Sequence, residues 1–291
     1  MTKLRVLDLF SGIGGFSLGL ERTGGFETVA FCEIEPFPRK VLAKHWPEVP
    51  CYEDVTKLTG DILRRDGIAV DVITGGFPCQ DISVAGKQAG IKEGTRSGLW
   101  SEIVRLIGEL SPRYVIVENV ANLLSGPSDR RGGWFGRILG DLAECGYDAE
   151  WENIPASAMG APHRRERIWL VAYPAQLQRH GGGEHWQQGE RQVSKLGKRG
   201  GAQPVAHAKR IGQPRQGKQI LASYRQANSQ GQTGNAFNEC GRQKWLPEPA
   251  VGRVANGVPA RVDRLAGLGN AVVPQIPELI GRAILAAEAT R

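Results

Sequence analysis

The sequence predicts an α/β protein with a doubly wound, mostly parallel sheet. Short apolar runs that are typical of buried strands alternate with helical patterns along residues 1–173. Several of these runs end in Gly-rich turns or acidic residues, and α/β enzymes carry their functional groups outside the carboxyl ends of such strands. The 291 residues are enough for one large core domain with a smaller addition.

The first unit has the pattern of a strand, a turn and a helix. Leu4–Leu9 has a strand pattern, Phe10–Gly15 is Gly-rich, and a helical run continues to about Glu21. Such a turn commonly holds a nucleotide-like ligand on backbone N–H groups. A dinucleotide fingerprint that begins at Gly12 would need glycine where Ser17 stands, so a nicotinamide cofactor is disfavoured.

The second strand, Thr28–Cys32, is followed by Glu33. Nucleotide-binding α/β proteins hold ribose hydroxyls with an acidic residue at this position, so we expect a ligand that contains a ribose. Glu33 could equally be a helix-start acid, because a helix begins near Pro36. Asp54 could accept a hydrogen bond from an adenine amino group, but the sequence favours a cap for a helix that begins near Thr56.

A cysteine stands in a Gly/Pro-rich turn after the next strand. Val70–Thr74 has the pattern of a buried strand, and Gly75–Gln80 follows it. Cys79 is therefore a candidate nucleophile, although an isolated cysteine in a tight turn is more often structural. Residues 81–97 are polar and show no helical or strand periodicity of apolar residues, which favours a functional lid over a simple connection.

A carboxylate follows the next apolar strand. Helix Leu99–Glu109 leads to Tyr114–Val117, which ends at Glu118. Because the carboxyl ends of parallel strands share one sheet edge, we expect Glu118 to lie near Cys79 and to be a candidate acid. A solvated strand end is the alternative.

Two arginines precede the last predicted strand. Arg165 and Arg167 alternate with Arg164 and Glu166. Since alternate strand residues face the same way, the two guanidinium groups should share a face that suits phosphate or carbonyl oxygens, unless this is an exposed strand end. The other predicted elements are helix Trp134–Cys145, strands Asp148–Ile154 and Ile168–Tyr173, and an amphipathic helix Ile276–Ala287.

The positive charge is concentrated in one segment. The net charge is +7, and residues 174–244 alone contain twelve Lys and Arg against three Asp and Glu. This basic segment predicts a surface for a polyanion, above all nucleic acid, with a solubilising loop as the alternative. Its few apolar residues predict poor order without a partner. We therefore divide the chain into a core domain at 1–173, a short recognition segment at 174–250, and a return to the core at 251–291.

The composition disfavours a membrane protein, a secreted protein and a metal-binding protein. No stretch approaches the roughly 18 uncharged apolar residues of a membrane span, and the N-terminus does not resemble a signal peptide, so we expect a cytosolic protein without a membrane partner. The five cysteines lack metal-ligand spacing, and the five histidines are scattered, so we expect free thiols and no metal. We also expect a monomer.

Five motifs together resemble the cytosine-5 DNA methyltransferases, the bacterial and phage modification enzymes. They occur in the family's order, as Asp8–Gly15, Gly76–Gln80, Glu118–Val120, Arg165–Arg167 and Gly269–Ala271. The resemblance covers Leu4–Tyr173 and about Val251–Ala287. It implies the S-adenosylmethionine-dependent methyltransferase fold and an enzyme of restriction–modification systems that acts on duplex DNA in the cytoplasm of a bacterial or phage-infected cell.

The resemblance implies S-adenosylmethionine as the methyl donor. Phe10 would stack on the adenine, Glu33 would bind the ribose and Asp54 would bind the adenine amino group. Ile34 takes the position where relatives often carry an aromatic residue. The other positions that the resemblance implies for the cofactor site are Ser11, Gly12, Gly14, Gly15, Pro78, Leu99 and Asn270.

The resemblance also implies the chemistry. Cys79 would add to carbon 6 of a flipped-out cytosine, Glu118 would protonate or hydrogen-bond N3, and the lid at 81–97 would close over the base. Arg167 would hold the cytosine carbonyl oxygen, and Arg165 would orient Cys79 or the DNA backbone. The DNA contacts implied are Gln80, Ser83 and the basic segment 174–244.

Other functions stay open at this point. A transfer RNA cytosine-5 methyltransferase has the same fold, but its distinguishing Cys-Phe-Thr tripeptide is absent. A non-catalytic DNA-binding relative would have no need of Cys79, Glu118 and Arg167. The family places its target-recognition domain between the arginine and Gly-Asn motifs, and residues 174–250 depart from that pattern because they are short, polar and poor in apolar residues.

Overall fold

The computed structural model of the protein describes residues 2–78, 99–125, 133–175 and 261–289. The strands are β1 (Leu4–Leu9), β2 (Phe26–Cys32), β3 (Cys51–Tyr52), β4 (Val72–Gly75), β5 (Tyr114–Val120), β6 (Tyr147–Pro155) and β7 (Glu166–Pro174). The helices are α1 (Gly15–Glu21), α2 (Pro36–His45), α3 (Gly60–Arg65), α4 (Trp100–Leu110), α5 (Gly133–Glu144), α6 (Arg261–Asn270) and α7 (Gln275–Ala289).

The strands form one seven-stranded sheet in the order β3-β2-β1-β4-β5-β7-β6. The pairings among β1 to β5 are parallel, whereas β7 runs antiparallel to both β5 and β6. The chain moves outward from β1 to one side and then from β4 to the other, so the sheet is doubly wound. The predicted fold class is confirmed, and the antiparallel β7 is the addition that the apolar pattern did not reveal.

Helices cover both faces of the sheet. On one face, α4 buries Trp100, Ile103 and Leu106, which recur at helical spacing, and α5 packs beside it. On the other face, α1 and α7 pack together through the apolar side chains Phe16, Leu20, Ile276, Ile280 and Ile284. Burying each of these large side chains contributes about 1.5–3 kcal/mol. The C-terminal helix α7 therefore packs in the same hydrophobic core as the N-terminal unit β1–α1.

The helix that was predicted to begin near Thr56 does not form there. The Asp54 carboxylate accepts hydrogen bonds from the backbone N–H (3.0 Å) and hydroxyl (2.7 Å) of Thr56, so it caps only a turn. Helix α3 begins later, where the Thr59 hydroxyl accepts a hydrogen bond from the N–H of Ile62 at 3.2 Å and acts as the N-cap. The prediction that Asp54 caps a helix is therefore wrong, because the N-cap of α3 is Thr59.

None of the helices in the described ranges is long and apolar enough to cross a membrane. The predicted lid at 81–97 and all of the basic segment beyond Ala175 lie outside the described residues, as do Cys79, Gln80 and Ser83.

Candidate active site

Three parallel strands bring the predicted groups to one edge of the sheet. Gly75 at the end of β4 is aligned with Leu9 of β1 and Val117 of β5. The residues that follow these positions are therefore neighbours. An ideal Cβ at Gly76 would lie 3.2 Å from Oε2 of Glu118, so the absence of a side chain at Gly76 allows the carboxylate to approach the turn closely. Glu118 therefore lies beside Gly76, three residues before Cys79. Cys79 itself lies outside the described residues, so its proximity to Glu118 stays a prediction.

Glu118 is largely buried beside a cation. Its side chain is 14% exposed, and Oε1 lies 3.0 Å from Nε of Arg167. Burial raises the pKa of the Glu118 carboxyl above its ordinary value, although Arg167 and Arg165 oppose the shift. A carboxyl group with a raised pKa holds its proton closer to neutral pH, so it can serve as an acid or hydrogen-bond donor.

Asn119 ties the same strand to the turn. Its side chain is 3% exposed, and Nδ2 donates a hydrogen bond to the carbonyl oxygen of Phe77 at 3.1 Å. Its Oδ1 accepts a hydrogen bond from the N–H of Val120 at 2.9 Å. No separate role was predicted for Asn119 from the sequence, although a polar residue at the end of an apolar strand was the available signal. Asn119 fixes the backbone two residues before Cys79.

The two arginines were predicted to share a strand face, but only Arg167 lies on β7. Both lower the pKa of Glu118, whereas Arg164 forms an exposed ion pair with Glu166 at 2.6 Å. Strand β7 begins only at Glu166, so strand alternation does not determine the direction of Arg165. Arg165 instead has a positive φ of 35°. It donates hydrogen bonds to the carbonyl oxygens of Gly269 (2.5 Å) and Ala271 (2.8 Å).

The Gly-rich turn has a left-handed backbone at three positions. Phe10, Gly12 and Gly14 have φ values of 52°, 53° and 85°. An ideal Cβ at Gly12 meets nothing within 4 Å, which leaves open space above the turn. At Gly14, by contrast, it would lie 2.6 Å from the ring of Trp46. Glycine is therefore required at Gly14 for packing, while Gly12 leaves room for a ligand.

The buried carboxyl of Asp8, for which the sequence predicted no separate role, supports this turn. Asp8 is 0% exposed and accepts hydrogen bonds from the hydroxyls of Ser17 (2.9 Å) and Thr74 (2.7 Å). Its carbonyl oxygen accepts another from Ser11 at 2.5 Å. Burial raises the pKa of Asp8 to about 7, and the two hydroxyls oppose the shift. Asp8 thus links β1, α1 and β4 below the turn.

Glu33 closes the turn from the side of β2. It is 7% exposed, Oε2 accepts a hydrogen bond from the N–H of Gly12 at 2.7 Å, and Oε1 accepts one from Glu35 at 2.8 Å. The second bond is made to the N–H of Glu35, the N-cap of α2, and no side-chain cap is described for that helix, so this bond does not make Glu33 a cap. The contact of Glu33 with a ribose stays a prediction. Each carboxylate oxygen retains a second lone pair, so hydroxyl groups of a ribose can still bind.

Three of the other predicted cofactor positions differ in exposure. Ile34 is 66% exposed, Leu99 is half-buried against the core, and Asn270 is exposed at the end of α6. The segment after α6 is close because an ideal Cβ at Gly15 would lie 2.7 Å from the carbonyl oxygen of Val272. The open turn, the carboxylate of Glu33 and the exposed apolar Ile34 fit a ligand that carries a ribose and a flat ring.

The described residues contain no group of three or more His, Cys, Asp or Glu side chains that could hold a metal ion. Asp54 is already used as a cap, and its hydrogen bonds from Thr56 lower its pKa. Its oxygens remain acceptors, so the contact with an adenine amino group stays a prediction.

The sequence matches a known protein family. A sequence model described as C-5 cytosine-specific DNA methylase matches residues 4–242. The type II methyltransferase M2.BsuMI of Bacillus subtilis (strain 168) is 36% identical over 173 residues, which are 58% of this chain and 42% of the relative. M.Sau3AI of Staphylococcus aureus is 36% identical over 189 residues, or 61% and 45% of the two chains. This chain spans less than half the length of these two relatives.

A solved structure shows the same fold. A crystal structure of a candidate DNA modification methyltransferase encoded within an E. coli prophage matches with a TM-score of 0.50 and 29% identity. The match covers 60% of this chain and 48% of that chain.

Proposed function

The chain belongs to the C-5 cytosine-specific DNA methylase family, and on this premise we propose that it transfers a methyl group from S-adenosylmethionine to carbon 5 of cytosine in a specific duplex DNA sequence. The position of Glu118 gives this proposal its strongest support. Its carboxyl lies between Arg167 and Gly76, at the start of the turn that holds Cys79.

Carbon 5 of cytosine is a poor nucleophile and needs activation. In the proposed reaction, the Cys79 thiolate forms a bond to carbon 6, and Glu118 supplies a proton or hydrogen bond to N3, so that the ring becomes an enamine. Carbon 5 would then attack the methyl carbon of S-adenosylmethionine as the bond from that carbon to sulfur breaks, so that S-adenosylhomocysteine would be the leaving group. A base would remove the carbon 5 proton, and elimination of Cys79 as a thiolate would return the N3 proton to Glu118 and restore the ring.

The environment of Glu118 supports its role as the acid. A carboxyl that is buried, with a raised pKa, is suited to carry the proton that N3 needs. When Glu118 is protonated, its ion pair with Arg167 weakens. The Arg167 guanidinium is then available to hold the cytosine carbonyl oxygen, which is the role that the family resemblance implies.

The Gly-rich turn is the proposed cofactor site. Phe10 and Ile34 offer apolar surface for the adenine, Glu33 offers acceptors for the ribose, and Gly12 leaves open space. S-adenosylmethionine supplies an electrophilic methyl group when it is bound there. These residues would hold the ligand in one orientation relative to the base bound beside Glu118.

DNA binding is proposed for the basic segment 174–244 together with Gln80 and Ser83. The twelve Lys and Arg of that segment give it the charge that a DNA backbone requires. The reacting ring must be reached from both faces, so we propose that the base is flipped from the duplex. The proposed enzyme works as a monomer in the cytoplasm.

The first experiment measures transfer of labelled methyl groups from S-adenosylmethionine to duplex DNA and to transfer RNA. Incorporation into DNA alone supports the proposal, and incorporation into transfer RNA alone favours the RNA enzyme.

Cys79→Ser should lose transfer but still bind the cofactor. Cys145→Ser is the matched control, because Cys145 is a half-buried free cysteine just before β6, at the opposite edge of the sheet. Unchanged transfer by Cys79→Ser would overturn the mechanism.

A further inference from the structure

Arg165 connects two parts of the chain that are distant in sequence. Its Nη1 donates a hydrogen bond to the carbonyl oxygen of Gly269 at 2.5 Å, and its Nη2 donates one to that of Ala271 at 2.8 Å. The two carbonyls flank Asn270. Hydrogen bonds from a guanidinium are charge-assisted and stronger than those between neutral groups, and two parallel bonds also fix orientation.

The backbone at Arg165 is held in an unusual conformation. Its φ of 35° is left-handed, which residues other than glycine rarely adopt. The neighbouring backbone is anchored, because the carbonyl oxygen of Arg164 accepts a hydrogen bond from the N–H of Ala156 at 2.6 Å. Such conformations persist where the surrounding structure over-determines them, and they cluster at functional sites. Here the conformation precedes β7, and the Arg165 side chain reaches the last turn of α6 at Gly269 and the segment after it at Ala271.

The segment that Arg165 holds lies against the proposed cofactor turn. Beyond Ala271, an ideal Cβ at Gly15 would lie 2.7 Å from the carbonyl oxygen of Val272. One at Gly19 would lie 2.2 Å from that of Pro274. The segment is therefore in contact with α1 on one side and bound by Arg165 on the other.

We propose that Arg165 is a positioning residue for the cofactor, which holds the carbonyls of Gly269 and Ala271 and thereby fixes Asn270 at the cofactor site. This role differs from orientation of Cys79 or of the DNA backbone. The inference rests on the proposed function, because it takes S-adenosylmethionine as the ligand of the Gly-rich turn.

The test measures binding of S-adenosylhomocysteine by calorimetry and methyl-transfer kinetics on duplex DNA. Arg165→Ala should weaken binding roughly tenfold to a hundredfold. It should raise KM for S-adenosylmethionine by a similar factor, with a much smaller change in kcat at saturating cofactor. Arg165→Lys should be intermediate, because one ammonium cannot reproduce two parallel bonds. Arg164→Ala is the control, since the Arg164 side chain is 84% exposed and pairs only with Glu166 among the ion pairs described for it.

A double-mutant cycle separates this role from general stability. Asn270→Ala is combined with Arg165→Lys, which keeps the charge and remains available if the alanine variant does not fold. If Arg165 acts through Asn270, the two losses of affinity are less than additive. Additive losses, or wild-type affinity in Arg165→Ala, would overturn the inference. Failure of the wild-type protein to bind S-adenosylhomocysteine would instead overturn the proposed function.

Discussion

The Nε atom of Arg167 lies 3.0 Å from Oε1 of Glu118, and the two residues belong to the neighbouring antiparallel strands β7 and β5. Arg167 is paired with Val120, so Glu118 is its diagonal neighbour, within reach of a long side chain. Because β7 pairs antiparallel with β5, the Arg167 guanidinium lies at the carboxyl end of the parallel strand β5. The candidate acid and the candidate carbonyl-binding group are placed together by this one pairing.

Glu118→Gln should remove most of the methyl transfer. Glutamine keeps the shape but cannot supply a proton to N3, and general acid catalysis typically contributes about a hundredfold to ten-thousandfold. The measurement is kcat for methyl transfer at saturating DNA and cofactor. Glu166→Gln is the control, because Glu166 is paired with the exposed Arg164 and should leave kcat near the wild-type value. A Glu118→Gln enzyme of normal activity would show that Glu118 is not the acid.

The pH dependence of kcat should report the same group. The pKa of Glu118 is raised by burial and lowered by Arg167 and Arg165. The required form is protonated, so kcat should fall as pH rises through that pKa and the carboxyl ionises. A kcat profile measured across the acid to neutral range should show this descending limb in the wild type and lack it in Glu118→Gln. A limb that persists in the variant would belong to another group.

Asp8→Asn should change how stability depends on pH. The pKa of Asp8 is about 7 in the folded protein against 3.8 for the ordinary group. The folded state thus binds the proton more tightly, and stability falls as pH rises from about 4 to about 7, by at most about 4 kcal/mol. Asparagine can face Ser17 with its oxygen and Thr74 with its amide nitrogen, and it removes the ionisation. The difference in free energy of unfolding, variant minus wild type, should increase between pH 5 and pH 8 in denaturant titrations. A constant difference would contradict the assignment.

Gly15→Ala should damage the cofactor site, while Gly108→Ala should not. A Cβ at Gly15 would lie 2.7 Å from the carbonyl oxygen of Val272, so the segment after Asn270 must shift. We expect a lower melting temperature and weaker binding of S-adenosylhomocysteine. A Cβ at Gly108, in the exposed part of α4, meets nothing within 4 Å. That change should stabilise the protein by roughly 0.5–1 kcal/mol with unchanged binding. Equal effects of the two substitutions would contradict this account.

The local parts of the structure were predictable from the sequence because they depend on neighbouring residues. The unit from Leu4 to Glu21 was predicted as a strand, a Gly-rich turn and a helix, and Glu118 was predicted at the shared edge of the sheet. Both follow from apolar periodicity and from the rule that parallel strands end together.

The other features depend on contacts between distant residues. An apolar run has the same pattern in parallel and antiparallel strands, so the direction of β7 was not visible. Arg165 contacts residues more than a hundred positions away, which no local pattern encodes. Asp8 is a buried carboxyl on a strand, and its partner Thr74 lies 66 positions later in the sequence. Only the fold reveals that the two are aligned on β1 and β4.

The proposed mechanism depends on a covalent bond between Cys79 and cytosine in DNA. The most direct test is incubation of the protein and S-adenosylmethionine with duplex DNA that carries 5-fluorocytosine at its target, since fluorine cannot leave carbon 5 as a proton does. We expect a protein–DNA adduct that survives denaturation, forms with wild type and Cys145→Ser, and is absent with Cys79→Ser. Methylation of ordinary DNA without any adduct on the fluorinated duplex, or an adduct that persists in Cys79→Ser, would contradict it.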